Sequence, residues 1–398
     1  MIDRATSISG PGLLLTMSFC VAAQATPAQE QAGSGPFYGP KGIQFVSSDE
    51  ATDLWLGVRL QTRWSNSRIT QDALPAPVEE EDSELKLNRG RIKGGGTLLD
   101  PRLDVYSEAD FTDQRLLDLR MTWQFSPALY LRLGQWKADY NRERIDSSGK
   151  QQFVERSVAT PWFTVDRQQG IVASGRLAKG SGLDSNYWFG WLSGSGRGGE
   201  LEADNGLWMG RYQWNIGGRK LAFSQSDIKR HNPGAGSVAL GLVHGKSSYT
   251  SFSSAGGGQL PGFTTSSPGR YRIDQAMLET AWQQDGFSWQ QELHWKRIED
   301  RQDGGSQSLV GGYAQVGYFP GSRWQLVPAP LELALRCAYV DPNRSDGDDY
   351  ERELTVAANW FFNGHRNKLT ADYSHVRRRE VPESDTSQRL RLQWEFSF

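Results

Sequence analysis

The chain has 398 residues and a formal charge of −2, a near balance that argues against a basic nucleic-acid binder and against a strongly acidic protein. Only 37% is hydrophobic, yet 15 Trp, 13 Tyr and 17 Phe are present. That combination suits a barrel with a thin apolar outer band, aromatic girdles and a polar interior. No stretch approaches the roughly 18 uninterrupted apolar residues of a membrane helix. At the start, Arg4 is followed by a short apolar run over 13–23 and by Ala23-Gln24-Ala25, a small-x-small pattern. These predict a secretory signal peptide over 1–25. Phe19 is too bulky to make Cys20 a lipoprotein anchor. Cleavage would leave Cys337 alone, so the fold does not depend on an internal disulfide. Residues 26–53 read as a periplasmic lead-in, with 26–40 rich in Gln, Gly, Ala and Pro and expected to be mobile.

From 54 to 398 the chain alternates. Leu54, Leu56, Val58 and Leu60 alternate with Trp55, Gly57, Arg59, Gln61 and Arg63. Leu117, Leu119, Met121, Trp123 and Phe125 alternate with Asp118, Arg120, Thr122 and Gln124, and Leu129, Leu131 and Leu133 with Tyr130, Arg132 and Gly134. The same period recurs over 331–336 and 353–362. The end is the clearest case: Leu390, Leu392, Trp394, Phe396 and Phe398 against Arg389, Arg391, Gln393, Glu395 and Ser397. Strands put successive side chains on opposite faces, and about ten such residues cross an outer membrane when tilted. This ending looks like the closing strand of an outer-membrane barrel with its terminal aromatic. Polar partners this regular predict water inside, since a filled core would bury them at high cost.

Seventeen segments carry the pattern, but bacterial single-chain barrels have even strand numbers, short periplasmic turns and longer external loops. Short turns at Asp100-Pro101, Ser126-Pro127 and 363–366, and long loops at 66–84, 139–169 and 377–387, set phases that clash between 216 and 245. Assigning 219–226 to a long periplasmic connection, 216–236, restores the phase. The expected fold is therefore all-β: a transmembrane antiparallel β-barrel of 16 strands. Loop 139–169 is unusually long and highly charged, with Asp139, Arg142, Glu143, Arg144, Asp146, Lys150, Glu155, Arg156, Asp166 and Arg167. In sixteen-stranded porins the loop in this position folds into the pore, so it is the expected inward-folded constriction loop; an exposed surface loop is the alternative.

Five short stretches in order carry a family likeness: Leu85-Lys86-Leu87-Asn88-Arg89-Gly90-Arg91, Glu108-Ala109-Asp110-Phe111, Leu133-Gly134-Gln135-Trp136-Lys137, Phe153-Val154-Glu155-Arg156-Ser157 with Asp166-Arg167, and Ala357-Ala358-Asn359-Trp360-Phe361. Together they resemble the phosphate-selective porin O and P family. The resemblance implies a homotrimeric outer-membrane porin of a Gram-negative bacterium, passing small anions by diffusion, phosphate or polyphosphate first among them. It implies basic constriction residues at Arg89, Arg91 and Lys137, with Asp110 as acidic neighbour. Where members carry an Arg pair, this chain has Asn88-Arg89.

Pores select anions through fixed Arg or Lys that offset the loss of hydration, and Arg adds a planar fork for phosphate. Inward parity selects Arg59, Arg63, Arg89, Arg91, Arg120 and Arg132; Lys137 and Arg156 complete the candidate anion pathway. Asp104, Asp118, Glu292 and Glu332 also point inward, so the lumen reads as mixed in charge and moderately selective. The five histidines show no metal-ligand spacing and no Gly-x-Ser-x-Gly occurs, so neither an enzyme nor a cofactor is expected. The expected partners are small anions and outer-membrane lipid, not nucleic acid. A structural or adhesive barrel, or a weakly selective general porin, are the other readings.

Overall fold

The computed structural model describes residues 36–39, 41–71, 78–253, 255–264, 267–345, 347–380 and 383–398. The predicted signal peptide, and the lead-in up to residue 35, lie outside the described residues. Among these residues sixteen strands make the wall. They are β1 (Asp53–Gln71), β2 (Val78–Leu98), β3 (Asp100–Asp110), β4 (Arg115–Ser126), β5 (Leu129–Lys137), β6 (Arg167–Leu177), β7 (Ser185–Leu192) and β8 (Gly206–Ile216). Then follow β9 (Ala235–Ser247), β10 (Tyr271–Gln284), β11 (Phe287–Asp300), β12 (Ser306–Tyr318), β13 (Leu331–Asp341), β14 (Tyr350–Asn363), β15 (Asn367–Glu380) and β16 (Glu383–Ser397). Each strand pairs antiparallel with the next, and β16 returns to β1, with Ser397 opposite Arg59 and Asp385 opposite Gln71. Closure removes every open edge of the wall, as a membrane-spanning sheet requires.

Alternation does what the sequence predicts. On β16, Leu390, Leu392, Trp394 and Phe396 are exposed on the outer face, while Arg391, Gln393 and Glu395 are buried on the inner one. Residues 219–226 form no strand, so the even count stands. Two boundaries differ from expectation. The predicted loops at 66–84 and 377–387 are largely strand: β1 and β2 run 19 and 21 residues as one ribbon, and β15 and β16 extend likewise. Glu79, Glu80, Glu81, Asp82 and Glu84 have low strand propensity, but cross-strand pairing offsets it; Glu81 meets Asn66 at 3.0 Å and lies opposite Arg68.

The interior is not polar throughout. An apolar cluster gathers inward side chains of β5–β10, among them Trp136, Trp188, Leu207, Met209, Val243 and Met277, with Tyr140 and Val165 of the segment between β5 and β6. Phe252, from a short hairpin after β9, and Phe223 join it. The physical reason is visible on β8: Leu207, Trp208 and Met209 are apolar on both parities, so that end of the strand is apolar inside and out.

The wall closes at a crowded seam. Val58 and Phe398 exchange backbone hydrogen bonds of 2.8 and 3.0 Å. Where β16 stops, the strand Gly42–Val46 takes over, pairing with β1 from Asp53 to Leu56. At Gly57 a Cβ would lie 2.8 Å from the carbonyl oxygens of both Lys41 and Phe398, so only glycine fits. Deleting Phe398 removes both hydrogen bonds and an outer aromatic. Outer-membrane yield of that variant should fall several-fold; normal yield on a membrane-fraction blot would contradict this account of the seam.

Candidate functional site

Register, rather than sequence proximity, assembles the basic side of the lumen. Arg59 on β1 lies directly opposite Arg91 on β2, and Arg91 lies opposite Asp110 on β3. Like charges face to face are tolerated because each has an anchor. Arg91 donates from Nε to Asp110 at 2.6 Å and from Nη1 to Glu108 at 2.7 Å. Arg59 forks onto the hydroxyls of Ser147 and Ser148 at 2.9 and 2.6 Å. One step along, Arg89 donates to Gln61 at 2.8 Å, while Gln61 donates to Glu395. Arg63 binds Gln393, the Val154 carbonyl and, at 2.7 Å, Glu155. A β-bulge inserts Asn88 between Arg89 and Leu87, so strand two carries an extra residue at this level. The donors around it orient its amide, whose oxygen faces Arg63 Nη2 at 3.0 Å and Arg89 Nη1 at 2.9 Å.

The acidic side is used differently. Inward carboxylates of β10–β15 accept hydrogen bonds from the segment 138–166. Glu279 accepts from Arg142 N at 3.2 Å and Arg142 Nε at 2.8 Å. Glu292 accepts from Glu143 N at 2.7 Å and from Asn141 at 3.0 Å. Glu332 accepts from Gln152 at 2.7 Å, Asp372 from Val154 N at 2.9 Å, Glu353 from Val158 N at 2.8 Å and Glu351 from Trp162 at 3.1 Å. Cations on this side are engaged as well: Arg336 pairs with Glu353 at 2.9 Å, and Lys296 donates to the Trp162 carbonyl at 3.0 Å. A buried carboxylate without partners would cost several kcal/mol; here each has an amide, hydroxyl or guanidinium.

Two cavities border the basic side. One, of about 350 Å³, is lined by Lys41, Arg59, Lys93, Lys150 and Arg366 against a single side-chain carboxylate, Glu395. The other, of about 850 Å³, carries Arg89, Arg115, Arg144, Arg156, Arg378 and Arg389 against Glu155, Asp166, Glu351 and Asp385. Both linings are net positive.

The predicted residues divide accordingly. Arg59, Arg63, Arg89 and Arg91, with Asp110, come together as one patch. Arg156 joins the larger cavity while donating to the carbonyls of Glu143 and Asp146 at 2.9 and 2.8 Å. Lys137 donates to the Asp146 carbonyl at 3.2 Å. Arg120 stacks over Tyr106 at 4.6 Å, and Arg132 is bound to Asp139 at 2.7 Å; like Arg63 and Arg91, they line neither of these cavities. Lys93 was missed, although it continues the parity of Arg89 and Arg91 by one step. Lys41 and Lys150 had no periodic signal to reveal them.

Within the segment, two carboxyls diverge. Burial pushes Asp146 up to about 7 against the opposing charges of Arg142 and Lys150. For partly exposed Glu155 burial also pushes upward, but Arg89 and Arg63 outweigh it and hold the carboxyl at about 2. Glu155 is therefore a fixed negative charge beside the Arg patch. Among the described residues, no group of three or more His, Cys, Asp or Glu is placed to hold a metal ion.

A family model described as phosphate-selective porin O and P matches residues 99–207 and 261–398, more than half of the chain. No curated relative matches the sequence. Among solved structures, the barrel resembles the outer membrane channel DcaP of Acinetobacter baumannii, at TM-score 0.56 and 12% identity over 89% of this chain and 99% of that one. It also resembles an anion-selective porin from Comamonas acidovorans, at TM-score 0.53 and 12% identity over 86% and 99% of the two chains. OmpT of Vibrio cholerae gives TM-score 0.52 and 9% identity over 89% and 100%. Identities this low speak for the fold alone, while the family match speaks for the sequence. The chain belongs to the phosphate-selective porin O and P family and is a porin of the Gram-negative outer membrane.

Proposed function

We propose that the chain forms a water-filled diffusion channel for small anions, with phosphate or polyphosphate the leading solutes, working as a homotrimer as its family implies. One observation carries this reading: the lumen is sorted by charge. Carboxylates of β10–β15 are engaged with segment 138–166, whereas among the charged side chains lining the two cavities that reach β16, β1 and β2 the cations outnumber the carboxylates. On this reading the segment narrows the passage against Arg59, Arg63, Arg89 and Arg91, with Lys93 next in line. Fixed positive charge in a narrow, partly dehydrated passage acts more strongly than in bulk water.

The forks of Arg91 and Arg59 are already occupied, by two carboxylates and two hydroxyls. A phosphate must displace those partners, so its competition with chloride should be partial. Screening supplies the test, because charges act over about 10 Å at 0.1 M salt and about 3 Å at 1 M. Reversal potentials in planar bilayers should report anion preference at low salt that fades at high salt; cation preference at low salt would overturn the proposal. Arg91→Ala should shift the potential toward cations more than Arg89→Ala does, because it also strips Asp110 of its cation and leaves Glu108 with only Lys93, 3.9 Å away. Equal shifts would mean that those carboxylates do not reach the ion path.

Asp146 adds a pH dependence. Its carboxyl is neutral below about 7 and negative above, so each deprotonation subtracts from the positive field. Anion preference should therefore weaken as pH rises through about 7, and Asp146→Asn should flatten that trend. A wild-type profile with no inflection there would contradict the assignment.

A further inference from the structure

The connection between β8 and β9, residues 217–234, is far longer than a periplasmic turn needs to be, and it does not hang free. Leu221 and Asp227 are buried. The carbonyl of Ala222 accepts from Arg142 Nη1 at 3.0 Å, and the Phe223 ring lies 4.8 Å from the same guanidinium. Gln225 accepts from Gln152 N at 2.8 Å. Ser226 reaches β13, donating to Glu332 at 2.8 Å. Ser224 meets His365, in the turn after β14, at 3.0 Å. The chain then returns to the turn between β10 and β11, where Gly286 donates to Asp227 at 3.0 Å.

A path that leaves β8, touches β13 and the turn between β14 and β15, and comes back to β9 spans six strands of a sixteen-strand wall. Strands lie about 4.8 Å apart, so such a reach runs across the end of the lumen and not along its rim. We propose that this connection is a periplasmic strap: it covers the exit beneath the β9–β14 side, braces segment 138–166 from below, and sets the size limit for solutes leaving the channel. The role rests on the chain being a porin and not on its anion preference. The strap's neighbours at the open edge, His365 and Lys150, line the smaller basic cavity. Solutes therefore leave past the strap's edge, beside β16 and β1, and size and charge are imposed by different chain segments.

The test separates the two. A variant lacking residues 219–226 keeps ten residues to join β8 to β9. In bilayers its single-channel conductance should rise roughly two-fold and larger polyethylene glycols should enter, with anion preference retained. Unchanged conductance and unchanged polymer exclusion would overturn the strap, whatever the reversal potential shows. Should that variant fail to insert, Ser224→Cys in a Cys337→Ser background decides. A bulky thiol reagent added on the periplasmic side should react and lower the current, while the same reagent on Leu183→Cys, in the exposed turn between β6 and β7, should leave it intact. An unreactive thiol at 224, or a labelled one with full current, would equally overturn the proposal.

Discussion

The lumen is organised by one constraint: a carboxylate taken out of water must find donors. Strands β10–β15 point Glu279, Glu292, Glu332, Glu353 and Asp372 inward, and each accepts hydrogen bonds from the segment that follows β5. The donors include backbone amides that a long irregular segment would otherwise leave unsatisfied. Each need answers the other. A row of acids along one wall becomes a docking rail for some thirty residues that hold two single-turn helices, Arg142–Ile145 and Thr160–Phe163.

The opposite wall follows from that. With the segment tied to β10–β15, the open space borders β16, β1 and β2, where register stacks Arg59, Arg91 and Asp110 across three strands and places Lys93 beside Glu108. The apolar cluster inside β5–β10 closes off more of the cross-section. A barrel of sixteen strands is wide enough for an aqueous channel, and here protein reoccupies much of it. Net charge says little about such a molecule; the position of each charge relative to its partners says a great deal.

Much of this was legible in the sequence. Alternation is a local signal, so the strands, their facing and the even count could be read from residues such as Leu390 to Phe398, and the phase of turns and loops removed 219–226. Parity found Arg59, Arg63, Arg89 and Arg91. What sequence could not supply was long-range. Nothing near Arg120 announces that it stacks on Tyr106, and nothing near Glu332 announces Gln152, 180 positions away. Charges counted along the strands do not show which carboxylates segment 138–166 engages. Lys93 and the two-sided apolar end of β8 were within reach of the same parity argument; the bulge at Asn88 was not, because a single inserted residue changes register without a compositional mark.

In the proposed function ions pass beside β1 and β2 and not through the side packed by β5–β10. Cysteine accessibility tests it most directly. In a background without Cys337, Arg89→Cys and Ala239→Cys place one thiol on each side of the lumen. A water-soluble charged thiol reagent should modify residue 89 within the open channel and cut the current, while residue 239, buried on β9, should stay unmodified with the current unchanged. Rapid modification and block at 239, or none at 89, would contradict the account.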